Sequence, residues 1–196
     1  MNRPDAALRL ARAEELTAQL AGRPVVLVGM MGAGKTTVGR RLAARLNRLF
    51  LDSDEEIEKA AQMTIPEIFE QRGEPEFRAG ETRVIARVLK DRDIVLATGG
   101  GAFVNAETRA QVRQGAISVW LKADSNILFE RVSRRSNRPL LKTANPRATL
   151  EKLIEERYPI YAEADITVLS RDVPQDVVAS DVIEAVLSYL KRQDHP

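Results

Sequence analysis

Cysteine is absent from this chain of 196 residues, which excludes disulfides, thiol nucleophiles and cysteine-based zinc sites. Histidine is almost absent as well: one occurs, His195, beside the C-terminus. Any acid–base chemistry must therefore fall to carboxylates, lysine or tyrosine. No charge of one sign dominates, since 30 Lys and Arg face 28 Asp and Glu. The pI near 9.0 reflects a surplus of two charges, too thin to argue for nucleic acid. No apolar run approaches the length of a membrane span. Arg9, Arg12, Glu14 and Glu15 also interrupt the place where a signal peptide needs its apolar core. These absences lead us to expect a cytoplasmic protein with no nucleic-acid or membrane partner. What is present is ordinary for one globular domain, with 44% hydrophobic and 30% charged residues.

Against that background the stretch "VVLVGMMGAGKTTVGRRLAARL", Val25 to Leu46, stands out. Val25 to Val28 is apolar and β-branched and reads as a short buried strand. From Thr36 onward Val38, Leu42 and Leu46 recur every four residues among arginines, which predicts an amphipathic helix. Between them lies G-x-x-x-x-G-K-T, Gly29 to Thr36, which includes Gly32, Ala33, Gly34 and Lys35 and is followed by Thr37; Gly32 to Thr37 would bind ATP. Glycines let backbone N–H groups turn inward, and the helix N-terminus adds partial positive charge, so the loop suits phosphates. Lys35 would reach the β- and γ-phosphates of a nucleoside triphosphate, and the Thr36 hydroxyl would meet Mg²⁺.

The rest of the chain alternates strands with helices, which predicts an α/β domain with a parallel sheet covered on both faces. The expected strands are "RLFLDSD", "DIVLATGGG", "AISVWLKA" and "ADITVLS", with later helices at 105–114, 124–135, 148–157 and 174–191. Residues 1–23 read as a helical extension, Asp5 to Leu20 capped by Asp5 and stopped by Gly22, attached to a domain over 24–192. It would be a surface appendage, although its apolar residues could also pack inward or meet a partner. Ser53 with Glu56, and Thr64 with Glu67, form candidate capping boxes. Gly73 should end one helix and Pro75 open the next. The segment 133–147 is basic, contains two prolines and suits a mobile lid.

Four further features narrow the chemistry. Asp52 and Asp54 alternate at the end of a strand, a step that points both to one side, where open parallel sheets bind ligands. One carboxylate could serve the Mg²⁺ shell and the other a substrate hydroxyl; the plain alternative for Asp54 is helix capping. Gly99, Gly100 and Gly101 follow a strand directly and would leave bare N–H groups facing a ligand. Arg78 begins a helix in "PEFRAGE" and Arg157 ends one in "EERYPIY". Arg138, in the basic loop, would close over transferring phosphates.

The ordered set G-x-x-x-x-G-K-T, "DSD", "FR", "GGG", "RPLL" and "ER-P-Y" resembles the shikimate kinase family of P-loop small-metabolite kinases, over about residues 24 to 190. The resemblance implies a five-stranded parallel sheet ordered 2-3-1-4-5 and a monomer that transfers a phosphoryl group from ATP to shikimate. It implies that Asp54 binds shikimate, that Arg78 and Arg157 hold its carboxylate, and that Gly99–Gly101 form its substrate turn. Thr36 would coordinate Mg²⁺ directly and Asp52 through water. Lys35 and Arg138 would act on the phosphates, with Arg131, Arg171 and Pro174 near the adenine. The rival readings are a gluconate or nucleoside-monophosphate kinase, which would lack the joint "DSD", "FR" and "GGG" pattern, and a nucleotide switch acting through a protein partner.

Overall fold

A computed structural model of the chain describes residues 3–134 and 145–194. Five strands form one parallel sheet: β1 (Val25–Val28), β2 (Leu49–Asp52), β3 (Ile94–Ala97), β4 (Ile117–Lys122) and β5 (Ile166–Leu169), in the order β2-β3-β1-β4-β5. This is the order that the resemblance implies. Every residue of β1 and β3 is buried, as expected of central strands covered on both faces. The register sets Leu27 beside Ala97 and Asp52 beside the same Ala97, so the carboxyl ends of β1, β3 and β2 finish level. That shared edge is where ligands enter open parallel sheets.

The helices are α1 (Arg3–Leu20), α2 (Lys35–Arg45), α3 (Ser53–Ala61), α4 (Ile65–Val88), α5 (Ala106–Gly115), α6 (Ser125–Ser133), α7 (Pro146–Tyr161) and α8 (Gln175–Asp194). A 3₁₀ turn, Ala102–Val104, follows β3. Thr64 and Glu67 form the expected capping box at the start of α4. Gly73 interrupts that helix at φ 78°, ψ 171°, so α4 is two helical halves meeting at an elbow, as the glycine and Pro75 lead one to expect. Among the described residues, no helix is long and apolar enough to cross a membrane.

Four local expectations need correction. Helix α1 starts at Arg3, which places Asp5 inside it rather than at its cap. Nor is α1 a loose appendage. Ala13, Leu16 and Leu20 are at most 2% exposed and belong to the main core. Arg12 bonds Glu184, and Lys191 pairs with Glu15 at 2.9 Å, tying α1 to α8. Helix α3 is capped by Asp52, whose Oδ1 accepts the Asp54 N–H at 3.1 Å, and not by Ser53. Finally, α7 continues past Arg157 through Pro159 to Tyr161. Pro159 lies on the exposed side, where water can satisfy the carbonyl that its missing N–H leaves.

Candidate active site

The loop from β1 to α2 is shaped by glycines in the left-handed region, where other residues would be strained: Gly32 at φ 81° and Gly34, the N-cap of α2, at φ 91°. Lys35 is 9% exposed, and its Nζ donates to the carbonyls of Gly29 at 2.8 Å and Met30 at 2.9 Å. The ammonium is thus held over its own loop, beside the N-terminus of α2, and the two positive features reinforce each other. Thr36 Oγ1 donates to Asp52 Oδ2 at 2.8 Å, joining the start of α2 to the end of β2. Ala33 is fully buried, and its carbonyl accepts a bond from Ser170 Oγ at 2.8 Å.

The glycine turn after β3 lies across the cleft, and at Gly99 and Gly101 it is space rather than φ that favours glycine. A Cβ at Gly99 would fall 2.7 Å from Asp54 Oδ1 and 2.9 Å from Glu81 Oε1. One at Gly101 would fall 2.6 Å from Arg78 Nη1. The turn therefore lets two carboxylates and a guanidinium close around its backbone. Its N–H groups are not all bare, as had been expected, because Gly99 N–H donates to Ser53 Oγ at 2.8 Å. Asp54 also departs from expectation: β2 ends at Asp52, and Asp54 stands in the first turn of α3 rather than two strand positions on. The turn of the chain still brings Asp52 and Asp54 to the same cleft.

Arg78 and Arg157 flank the turn from two helices. Arg157 Nη1 donates to the Gly100 carbonyl at 3.2 Å. Arg78 pairs with Glu81 at 2.8 Å and Glu74 at 3.2 Å. Glu81 is 2% exposed, and its Oε1 is buried without a hydrogen-bond partner. Burial pushes the Glu81 carboxyl above the usual carboxylate range, even though Arg78 pulls it down; the nearby Asp54 raises it further. For Arg78 the balance is reversed, since burial lowers its pKa but the bonds to Glu81 and Glu74 raise it more. Both pKa values are therefore raised, that of Glu81 because burial outweighs its pairing and that of Arg78 because its pairing outweighs burial.

Tyr161 is fully buried, and its hydroxyl donates to the Gly100 carbonyl; burial pushes it up to about 12, so it stays a donor. The sequence reading gave neither Glu81 nor Tyr161 a role. The signals were present in the i+3 spacing of "RAGE" and in the tyrosine closing "ERYPIY".

A cleft of about 370 Å³ reaches from Lys35 and Thr36 to Asp54 and Gly100; Arg78 and Arg157 do not line it and adjoin it through the glycine turn. Gly32, Gly34, Thr37, Asp52, Gly99 and Arg131 also line it. Arg131 donates to Ser170 Oγ at 3.0 Å and to the Arg171 carbonyl at 2.7 Å, bracing the loop against the β5–α8 connection. The Arg171 side chain turns to Asp181, and the Pro174 carbonyl accepts the Val177 N–H at 2.8 Å. Arg134 and Gln175 line the cleft without having been anticipated. Arg138 and most of the expected lid, residues 135–144, lie outside the described residues.

A sequence model of shikimate kinase matches residues 31–187. The chain belongs to the shikimate kinase family. A shikimate kinase of Rhodopseudomonas palustris is 58% identical, over 94% of this chain and 91% of its own length. One from Nitrobacter winogradskyi is 61% identical over 86% and 78%. Among solved structures, shikimate kinase from Acinetobacter baumannii in complex with shikimate superposes with a TM-score of 0.84 at 42% identity, covering 88% of this chain and 97% of that one. The R. palustris match reaches into α1, so the likeness takes in more than the sequence motifs alone had suggested.

Proposed function

We propose that this enzyme transfers the γ-phosphoryl group of ATP to a hydroxyl of shikimate, giving shikimate 3-phosphate and ADP. Membership of the family supports the reaction. The observation that carries the residue assignments is the single cleft joining Lys35 and Thr36 to Asp54 and the glycine turn.

In this reading the amides of Gly32 to Thr37 and the N-terminus of α2 bind the phosphates. Lys35 exchanges its carbonyl partners for the β- and γ-phosphate oxygens. The Thr36 hydroxyl and Asp52 carboxylate, 2.8 Å apart, are hard oxygen donors of the kind Mg²⁺ prefers. When bound there, Mg²⁺ would neutralise charge on the β- and γ-phosphates.

Arg78 and Arg157 grip the shikimate carboxylate through charge-assisted bonds, and Glu81 and Tyr161 fix the arginine and the turn that do so. Asp54 accepts a hydrogen bond from the attacking hydroxyl and takes its proton as the oxygen–phosphorus bond forms and the bond to ADP breaks. Catalysis of this kind rests on positioning and charge stabilisation. Arg138 would add positive charge from the lid, and Arg131, with the Arg171–Pro174 connection, would support the nucleotide. The enzyme would act as a cytoplasmic monomer.

Calorimetric titration of Arg157→Ala tests the assignment of the grip. Shikimate binding should weaken by about 2–5 kcal/mol, the usual cost of truncating a buried charge pair, with ATP affinity unchanged. Equal weakening of both ligands would place Arg157 elsewhere.

A further inference from the structure

Behind the active site, on the other side of α4, lies a second cavity of about 330 Å³. The elbow at Gly73 bends α4 so that its two halves and α3 wall this space. Its floor is apolar: Ile57, Ile68 and Phe77 are each at most 5% exposed. Its charged lining is Arg72, Arg83 and Arg87 with one carboxylate, Glu76. Arg83 pairs with Glu76 at 3.1 Å and Arg87 with Glu56 at 3.6 Å, both through exposed guanidinium groups. Arg72 has no ion-pair or hydrogen-bond partner among the described residues.

Gly80 opens this cavity. It sits in the second half of α4, where glycine weakens a helix relative to alanine. Its φ is not positive, and a Cβ there would meet nothing nearer than the tip of Arg83 at 4.0 Å. Neither backbone conformation nor packing within the chain asks for glycine here. A side chain at this position would project into the cavity, sharing a face with Phe77 and Val84 at i−3 and i+4.

We propose that this cavity is a binding site for a small aryl-substituted monocarboxylate, with its ring on the Ile68–Phe77 floor and its carboxylate among the rim arginines. The volume is that of a small-molecule pocket, and an apolar base with a few convergent charges is the usual form of one. The inference stands apart from the phosphoryl-transfer reading.

The test is calorimetric titration of the full chain with 3-phenylpropionate, in saturating shikimate so that the arginines of the main cleft are occupied. Saturable one-to-one binding in the millimolar range or tighter is expected for a ligand of this size. Filling the cavity with Gly80→Leu should weaken it about tenfold or more, and Arg72→Gln about threefold or more. The neutral 3-phenylpropanamide should bind about tenfold more weakly than the acid. Thermal melts should show Gly80→Ala, and Gly80→Leu if it folds, at least as stable as the parent. Absence of saturable binding in the presence of shikimate would overturn the proposal. So would equal affinity in Gly80→Leu, or, should that variant fail to fold, equal affinity for acid and amide.

Discussion

Asp52 and Asp54 divide two jobs that the sequence leaves undivided. All three residues of "DSD" can cap a helix, and local propensity does not choose among them. Tertiary contact decides: Asp52 bonds Thr36 with one oxygen and caps α3 with the other, which frees Asp54 from the capping role. Glu81 shows the opposite limit. A glutamate on a helix ordinarily reads as solvated, and its burial against Gly99 exists only once α4 meets the turn. Residue types and their order were therefore legible for Lys35, Thr36, Arg78 and Arg157, whereas enclosure was not. Asp54→Asn is expected to lower kcat by at least about a hundredfold, the lower range for losing a general base. Because Asp52 is the cap, stability should fall by no more than about 1 kcal/mol, the size of a first-turn charge–dipole term. Rapid-quench turnover and thermal melts on the same preparation check both halves.

Among the elements, the strands were readable because buried parallel strands are short β-branched runs, and the β–α alternation required crossovers. Sheet order was not readable from periodicity; it came with the family resemblance. Pro159 marked the end of α7 too early: the helix runs on through it for two more residues on an exposed face, where water can satisfy the carbonyl left without its N–H partner. The apolar spacing of Ala13, Leu16 and Leu20 was visible, but whether it faced this core or a partner was not. Helix α1 packs on α8, and none of its residues lines the cleft, so it is expected to act as a brace. A chain starting at Gly22 should lose several kcal/mol, since each buried leucine contributes about 1.5–3 kcal/mol. Below its lowered Tm, kcat/KM should stay within roughly threefold of the full chain, as expected for a terminus outside the site. A hundredfold loss in the folded fraction would mean that α1 shapes the cleft through α8 and Gln175.

For the molecule as a whole, level strand ends place the glycine loop after β1 and the glycine turn after β3 side by side at the carboxyl end of the sheet. In the proposed reading donor and acceptor meet there, and specificity would follow from a carboxylate held by Arg78 and Arg157 and a hydroxyl at Asp54. The most direct measurement is ADP release at saturating ATP and Mg²⁺ with shikimate, gluconate, quinate and nucleoside monophosphates compared in parallel. The account predicts turnover with shikimate, with kcat/KM at least about a hundredfold above each alternative, because a missing polar contact in a built site typically costs that much or more. Turnover with gluconate and none with shikimate would contradict it.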